Sequence, residues 1–491
     1  MQDTTANKID NTAYAACLSQ LNNTIPNVLK YIDTLPKHRT AAEYSNALHT
    51  PVSPLQDNED LIYFAEKKSA ELFDRQTARA LRKELEKRFI ALTANHHGMD
   101  FHPEFLQGNL IFAQGCQYAV PLFAWGGVPG DNASFARGML ASPRTNAGFK
   151  PHKIPLFSNA DRRIFINQKS AYTGTQIQNS FKRLSKYDLS PQEEKKIKEL
   201  LTDIYSNQNV LAQKDFKDQM SLANFLLWRK LFPEEPYLPL VSLELQSLAA
   251  NLVIKDLQNP ATLIAKIITE KELTKEIYFL LDSARSCWTV ENEQIKKGSF
   301  LFWAVDEKKR SLRLNYSQEK NALFCPENPK LFFPLNAQTI INALRGSMLL
   351  PSLYLTFAAT AMARGLNCAG GIFQFEYLPD MAKQTARALL NCDEQSLASK
   401  ISAQSPLCTG FLPLQTYTPF SENMNETVGA GALEMLIHGG LTKNILQKLA
   451  ETKIKEAFLS ALAYHYEDLI NPQEYVQDWK KNLFYPAPII L

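Results

Sequence analysis

The sequence predicts an α/β protein with a mostly parallel sheet, large helical additions and a β-hairpin. Two short apolar segments, 89–94 and 118–125, flank a helical stretch that runs from Pro103 to about Ala113. Buried strands on either side of a helix are typical of a right-handed βαβ crossover, which forms parallel sheets. Ligands of such sheets bind beyond the carboxyl ends of the strands, so the polar residues that follow the two apolar segments mark the expected site.

Composition and charge place the chain among ordinary globular proteins. Its 491 residues are 45% hydrophobic and 21% charged, which is enough to build more than one core. The 53 basic residues nearly balance the 50 acidic ones, so no strong field for nucleic acid or an anionic membrane surface is expected. A small-molecule substrate is therefore the expected partner, and the oligomeric state stays open.

Location and redox chemistry follow from motifs that the sequence lacks. Its first residues carry no apolar signal segment and no apolar run is long enough to span a bilayer, so a cytoplasmic location is expected. The seven cysteines are widely spread and form no CxxC pair. This spacing argues against a disulfide framework and against a cysteine-rich zinc site.

Changes of composition divide the chain into three regions. Residues 1–170 contain N-terminal helices and the first half of the α/β core, including a histidine-rich loop. Residues 171–235 carry charged and amide side chains at helical spacing and predict a helical insertion or subdomain, with Ser190 as the N-cap of one helix. Residues 236–491 hold the second half of the core, a β-hairpin within 299–316 and a mainly helical C-terminal region.

Four side chains that suit acid–base chemistry follow the first apolar segment within seven positions, and three of them are histidines: His96, His97, Asp100 and His102. Histidine titrates near neutral pH, so His97 or His102 is the expected acid or base, with Asp100 orienting a histidine. A structural role is also open, because Asp100 or His102 is positioned to cap the helix that Pro103 begins.

The same loop is also a candidate metal site. Neutral imidazole and carboxylate groups are the usual ligands of zinc, iron and manganese, so a divalent metal would be held by His96, His97, Asp100 and His102. Adjacent histidines point in different directions in an extended chain, and binding one ion would require a turn, which Gly98 permits. Apart from this metal, the sequence indicates no cofactor.

A glycine-rich loop follows the second apolar segment and supplies further candidates for substrate binding. Glycine lets backbone N–H groups approach an anion, and arginine adds a two-pronged contact to phosphate or carboxylate. The substrate-binding residues predicted from the two loops are Asn95, His96, Gly127, Asp131, Asn132 and Arg137. An ordinary turn with an Asx motif at Asp131 and Asn132 explains the second loop equally well.

The order of these features resembles that of the cysteine-adding enzymes of bacillithiol biosynthesis. Residues 93–98 (TANHHG) and 121–125 (PLFAW) occupy the places of that family's strand-and-turn motif and of the strand that follows it. Its later motifs are similar to residues 301–302, 309–312, 334–336, 344–345 and 349–352. Histidines replace the family's paired glutamines, Gly346 replaces a proline, and 127–131 replaces an acidic cluster. The resemblance implies a Rossmann-like core with helical additions and a reaction that joins an amino acid to a small acceptor.

Three functions are therefore compatible with the sequence. The first is a cytoplasmic enzyme of small-molecule metabolism, ligase- or transferase-like, that acts through the histidine loop. The second is a metal-dependent hydrolase or oxygenase that uses the same loop. The third is a non-enzymatic binding protein or secreted effector whose working surface is the helical stretch 171–230.

Overall fold

The computed structural model describes residues 10–51, 53–132, 134–143, 148–160, 162–234, 237–292, 294–417 and 426–491. In these ranges the chain is a mixed α/β protein that is 49% helical. It contains a four-stranded parallel sheet and several small antiparallel sheets. The α/β class with a parallel sheet, helical additions and a β-hairpin is therefore confirmed.

The strands and helices are numbered in chain order. Strands β1 to β17 are Ile90–Leu92, Val120–Ala124, Gly138–Ala141, His152–Pro155, Leu240–Glu244, Thr289–Glu291, Gln294–Lys297, Phe302–Val305, Ser311–Arg313, Asn315–Ser317, Ala322–Cys325, Asn328–Pro334, Leu349–Pro351, Asn367–Ala369, Leu414–Tyr417, Thr427–Gly429 and Ile489–Ile490. Helices α1 to α22 are Asn11–Thr24, Pro26–Thr34, Ala41–Ala47, Glu59–Leu72, Arg75–Lys87, Pro103–Ala113, Gly174–Arg183, Pro191–Leu200, Gln208–Leu211, Phe216–Leu231, Leu245–Asp256, Leu263–Thr269, Lys271–Leu280, Ala337–Arg345, Leu353–Phe357, Ile372–Asn391, Gln395–Ala398, Ala432–Ile437, Lys443–Glu451, Ile454–Leu459, Leu462–Leu469 and Trp479–Leu483. Of the helices in the described ranges, none has the length and apolar content that crossing a bilayer requires.

The parallel sheet, called the central sheet below, has the strand order β14-β1-β2-β5. Leu92 of β1 lies opposite Ala369 on one side and opposite Leu122 on the other. The chain passes from β1 to β2 and β5 in one direction and later places β14 on the other side of β1. The strand order therefore reverses between β1 and β14, which is where open parallel sheets form ligand-binding crevices.

Alternate residues of the strands supply two hydrophobic clusters on opposite faces of the central sheet. In β1, Ile90 and Leu92 belong to one cluster, and Ala91 belongs to the other. The first cluster includes apolar residues of α6 and α10, and the second includes those of α4, α5 and α11. Because every residue of β1 and β2 is buried, both strands are nearly continuous apolar runs in the sequence.

The predicted crossover is formed by β1, α6 and β2. Helix α6 begins at Pro103. Proline lacks a backbone N–H, but the N–H groups of a first helical turn have no partner inside the helix, so no helical hydrogen bond is lost. Helix α5 leads into β1 and begins at the N-cap Asp74, which accepts a hydrogen bond of 2.7 Å from the Thr77 backbone N–H. Local capping and buried apolar runs therefore fix the elements that lead to the first polar loop.

The predicted β-hairpin consists of β8 and β9, which pair antiparallel with Trp303 opposite Arg313. Strand β13 pairs with the other edge of β8. The residues after β9 belong to a different three-stranded sheet, formed by β10, β11 and β12. The Gln246 side chain of α11, the helix that follows β5, donates a hydrogen bond of 2.5 Å to the Pro351 carbonyl of β13. This bond joins the sheet of β8, β9 and β13 to a helix that packs on the central sheet.

Region 171–235 contains helices α7 to α10 in its described residues. The Ser190 side chain accepts a hydrogen bond of 3.2 Å from the Glu193 backbone N–H, and Glu193 bonds back to the Ser190 N–H, which forms a capping box. Apolar residues of this region, such as Ile197 and Leu227, belong to the same cluster as Leu92. The region therefore shares its core with one face of the central sheet.

Candidate functional site

A half-open cleft with a volume of about 510 Å³ lies at the carboxyl edge of the central sheet. Thr93 and Ala94, which follow β1, line it together with Gly371, which follows β14. Trp125, which follows β2, lines it from the other direction. The cleft thus occupies the place where the strand order reverses, and the predicted edge of the sheet does carry a concave site.

The histidine loop enters the cleft as an extended continuation of β1. The His97 backbone N–H donates to the Trp125 carbonyl at 2.8 Å, and the Trp125 N–H donates to the Asn95 carbonyl at 2.8 Å. Successive side chains of an extended chain point to opposite sides. His96 lines the cleft, whereas the neighbouring side chains of Asn95 and His97 do not. The Asn95 amide is buried and has no hydrogen-bond partner among the residues that the structure describes.

His96 is held by the second loop. Its Nδ1 lies 2.6 Å from the Asn132 amide nitrogen, and the Asn132 carbonyl oxygen accepts a hydrogen bond of 2.7 Å from Ser134 Oγ. Because the amide donates to Nδ1, the imidazole carries its proton on Nε2. Burial lowers the pKa of His96 to about 4, so the ring is neutral at pH 7.

His102 is the second histidine that lines the cleft. It occupies the N-cap position of α6, but its side chain makes no capping hydrogen bond. Its Nε2 lies 3.1 Å from the Tyr464 hydroxyl, and the Phe105 ring lies between the two cleft histidines, with centroids 4.7 Å from His102 and 5.6 Å from His96. Burial and, after it, the nearby His96 and Lys153 lower the pKa of His102 to about 3, so this ring is also neutral.

His97 and Asp100 lie outside the cleft, which corrects the predicted catalytic group. His97 is buried, and its Nε2 lies 2.8 Å from the Lys217 carbonyl oxygen. The Asp100 carboxylate accepts a hydrogen bond of 2.9 Å from Asn109 and orients no histidine. The chain turns away at Gly98, where φ is +154° and a Cβ atom would lie 2.2 Å from the Ala136 Cβ. Only glycine fits this turn, and it directs Asp100 into the interior.

The same turn separates the four predicted metal ligands. His96 and His102 line the cleft, whereas His97 and Asp100 are bound to other parts of the chain. In the ranges that the structure describes, no three histidine, cysteine or acidic side chains are grouped so that they could hold one metal ion. The structure therefore does not bring the four predicted ligands together around one point.

The second loop contributes less to the cleft than predicted. Arg137 donates to Asp131 Oδ1 at 3.0 and 3.2 Å and to the Phe157 carbonyl at 3.2 Å, so its guanidinium is occupied inside the protein. Neither Arg137 nor Asp131 lines the cleft. Asn132 acts through His96, and Gly127 lines a smaller neighbouring cavity. Arg137 and Asp131 therefore stabilise the loop and hold no substrate in this cleft.

A buried glutamate in the first turn of α6 is a further titratable group of the cleft. Glu104 lines the cleft and is buried. Burial and, after it, the nearby Asp468 raise the pKa of Glu104 to about 8, and a hydrogen bond with the Thr409 side chain opposes the shift. Its carboxyl group is therefore mostly protonated at pH 7 and exchanges a proton close to neutral pH.

Helix α21 supplies two further groups to the same wall. Tyr464 and Asp468 are four residues apart on this helix, which places both on one face, and both line the cleft. Burial, then the Glu104 and Asp468 carboxylates, raise the pKa of Tyr464 far above its usual range, so its hydroxyl stays protonated. Asp468 lies nearer the surface, with its side chain 41% exposed and 3.9 Å from the Lys150 ammonium.

Arg285 brings a positive charge to the rim of the cleft. Its guanidinium lies 4.5 Å above the Phe373 ring, and its Nη1 donates to the Thr24 carbonyl at 2.9 Å. No carboxylate in the described ranges forms an ion pair with it. Ser283 and Ser286 beside it have φ angles of +62° and +65°, a conformation that is uncommon for serine and clusters at functional loops. The cleft thus carries carboxyl groups on one wall and, at its rim, a guanidinium that no carboxylate of the described ranges neutralises.

The side chain of Gln374 ties the two strands at the reversal together. Its amide donates to Thr93 Oγ1 at 2.8 Å, so the end of β1 is joined to the start of α16. Cys368 of β14 lies nearby but is fully buried, and burial raises its pKa to about 12. Its thiol is therefore protonated at neutral pH and lacks the reactivity of a nucleophilic cysteine.

No protein-family model matches the chain, and no curated protein matches it either. The resemblance to the cysteine-adding enzymes of bacillithiol biosynthesis therefore stays a prediction from short motifs. The sequence singled out a loop of which two histidines line the cleft, but it assigned no role to Glu104, Tyr464, Asp468 or Arg285, which line the cleft as well. Only the neighbouring position of Glu104 was a local signal, since the other three are far from the loop in the sequence.

Proposed function

We propose that this chain is a ligase- or transferase-like enzyme that binds a small zwitterionic metabolite in the cleft and joins another group to its amino nitrogen. The observation that carries the proposal is the buried Glu104 carboxyl, with its pKa raised to about 8, in a cleft whose rim carries the Arg285 guanidinium without a carboxylate partner in the described ranges. The reversal of strand order at this edge supports a Rossmann-like core with the ligand site of such folds.

The two ends of an amino acid match the two charged parts of the cleft. An ammonium group is complementary to Glu104 and Asp468, and a carboxylate is complementary to Arg285. The neutral rings of His96 and His102 add polar atoms without adding a positive charge near the ammonium site. The motif resemblance supports the same substrate class, because it implies an amino acid as one reactant.

The chemistry of such a reaction requires the amine to lose a proton. The amine nitrogen forms a bond to an electrophilic carbon of the second reactant, the bond from that carbon to its leaving group breaks, and the nitrogen's proton passes to a base. Glu104 suits this role, because a base is most effective when its pKa lies near the working pH. The protonated Tyr464 hydroxyl is a hydrogen-bond donor on the same wall and is linked to His102.

Proton release on binding tests the ammonium site directly. At pH 7, a carboxyl group of pKa 8 is ionised in roughly one molecule in ten. An ammonium group bound beside Glu104 favours the carboxylate, so binding should release up to ~0.9 proton per site. Calorimetric titration of alanine in buffers of different ionisation enthalpy measures this number. Propionate and ethylamine, which each carry one of the two charges, should bind at least tenfold more weakly than alanine.

Variants of the charged residues connect the result to the cleft. Glu104→Gln should abolish the proton release, and Arg285→Gln should weaken alanine binding while leaving ethylamine binding unchanged. Glu319→Gln at an exposed position is the matched control and should behave as the unaltered protein does. The proposal fails if alanine binds no better than propionate and ethylamine, or if Glu104→Gln releases as many protons as the unaltered protein.

A further inference from the structure

A second, smaller cavity adjoins the cleft, and four of its eleven lining residues are aromatic: Trp125, Trp288, Trp303 and Tyr354. Its volume is about 120 Å³, and Trp125, Ser286 and Leu353 line both cavities. Trp303 of the β-hairpin contributes to its wall, and the Trp303 ring is held edge-on to Phe165 at 5.3 Å. The shared residues place the small cavity beside any molecule bound in the cleft. We call it the aromatic pocket.

The polar atoms of the pocket's aromatic residues fall into two groups. The Trp288 indole N–H donates to the Tyr278 carbonyl at 3.0 Å, and the Tyr354 hydroxyl bonds to Thr385 at 3.1 Å, so both are satisfied elsewhere. The indole N–H groups of Trp125 and Trp303 make no hydrogen bond to any described residue. Two residues that line the pocket therefore carry indole donors that are not bonded to any described residue.

Gly127 gives the pocket its shape. A Cβ atom at this position would lie 2.4 Å from the Trp125 ring, so the absence of a side chain lets the indole lie against the backbone. Gly127 was predicted from the sequence to approach a ligand. Its role is instead to hold the ring that forms the wall between the two cavities.

The size of the pocket limits what it can hold. An apolar protein cavity of about 150 Å³ binds benzene. At about 120 Å³, and open toward the cleft, the aromatic pocket is large enough for one six-membered ring but not for a fused ring system. Flat rings pack against indole faces more favourably than puckered rings of the same size, because their quadrupoles interact in stacked or edge-on geometries.

We propose that the aromatic pocket binds a single six-membered aromatic ring, bearing a hydrogen-bond acceptor at its edge, that belongs to one of the two reactants. The acceptor receives the indole N–H of Trp125 or Trp303, and the ring packs against the two indoles. This inference rests on the proposed function in one respect, namely that the adjoining cleft holds the zwitterionic reactant. The new part of the inference is the aromatic ring of the reactant, a group that the charged residues of the cleft do not recognise.

Phenol and cyclohexanol are the probes that test the pocket on the full chain. They have similar size and the same hydroxyl group, but only phenol is flat and aromatic. In ligand-observed NMR titrations, phenol should bind at least fivefold more tightly than cyclohexanol. Trp303→Ala should weaken phenol binding roughly threefold to tenfold, because it removes one aromatic wall. Gly127→Ala should weaken it as well, since the new methyl group displaces the Trp125 indole.

Matched controls separate these effects from general damage. Gly174→Ala adds a Cβ where nothing lies within 4 Å, and Trp479→Phe removes an indole from helix α22; both should leave phenol binding unchanged. Because alanine does not enter the pocket, its proton release should be normal in Trp303→Ala. Equal binding of phenol and cyclohexanol, or unchanged phenol affinity in Trp303→Ala, would overturn the inference. If alanine still releases protons in that case, the proposed function survives without it.

Discussion

Replacement of Arg364 by methionine tests how the strand at the reversal is held in place. Arg364 is completely buried three residues before β14. Its guanidinium donates to both oxygens of Asp60 in α4 at 2.7 Å and to both oxygens of Asp256 in α11 at 2.8 and 3.0 Å. Two helices on one face of the central sheet are thereby tied to the chain segment that enters the edge strand β14.

The expected loss of stability is large because the substitution leaves two buried carboxylates without their main partner. Breaking a buried ion pair from one side costs about 3–5 kcal/mol. Lys255 remains 3.1 Å from Asp60 but its side chain is 56% exposed, so it compensates only weakly. The free energy of unfolding of the Arg364→Met variant should therefore fall by about 3–5 kcal/mol at pH 7, out of a typical total of about 5–15 kcal/mol.

Urea unfolding followed by circular dichroism measures this loss, and its pH dependence identifies the cause. Burial raises the pKa of Asp60, but hydrogen bonds and charge from Arg364 and Lys255 outweigh burial and bring the pKa below its usual value. That stabilisation is complete above the unfolded pKa of about 4 and is lost as the pH falls through the lower folded value. The difference between variant and unaltered protein should therefore shrink below about pH 4.

A matched triple variant completes the test. Arg364→Met combined with Asp60→Asn and Asp256→Asn removes all three charges together, and it should recover most of the stability lost in the single variant. A single variant that unfolds within about 1 kcal/mol of the unaltered protein at pH 7 would refute the reasoning. So would a loss that the triple variant does not reduce.

Three further substitutions test the histidine loop and its surroundings. Gly98→Ala should lower the free energy of unfolding by at least ~1 kcal/mol, because alanine is strained at φ +154°. The control Gly174→Ala should have little effect. Equal urea midpoints for the two variants would contradict this prediction. Asp100→Asn should be more stable than the unaltered protein, because burial raises the pKa of Asp100 to about 7 and the ionised form is disfavoured. Its advantage should grow from about pH 4 to pH 7 and then stay constant, so a pH-independent difference would rule out this explanation. Tyr464→Phe leaves His102 Nε2 without its partner and should lower the free energy of unfolding by about 1–3 kcal/mol. The substitution should also shift the NMR signals of the His102 ring, and unchanged signals would show that the hydrogen bond is absent.

The neutral state of the two cleft histidines changes how the loop is understood. A histidine-rich loop suggests groups that titrate near neutral pH, but burial lowers the pKa values of His96 and His102 to about 4 and about 3. Among the carboxyl groups that line the cleft, Glu104 has a pKa that burial shifts in the opposite direction, to about 8. The same desolvation therefore keeps the histidines neutral and brings the neighbouring carboxyl close to neutrality, where the proposed proton transfer requires it.

The sequence by itself determined the local elements of the fold. Apolar runs predicted β1 and β2, the proline and helix formers predicted α6, and alternation with a charged turn predicted the hairpin of β8 and β9. It also indicated the edge of the sheet where the cleft lies, because polar residues that follow parallel strands lie at the carboxyl edge of the sheet. These features depend on interactions between residues that are close in the chain.

Tertiary structure alone decided which side chains meet in the cleft. Strand β14 pairs with β1 across more than 270 positions, as the register of Ile90 with Asn367 shows, and no local pattern encodes that pairing. The directions of His96 and His97 depend on hydrogen bonds with Trp125, and the acidic wall depends on α21 packing beside α6. Spacing in the sequence fixes which residues are available, but the packing of distant helices and strands fixes their orientation, burial and charge, and therefore their chemistry.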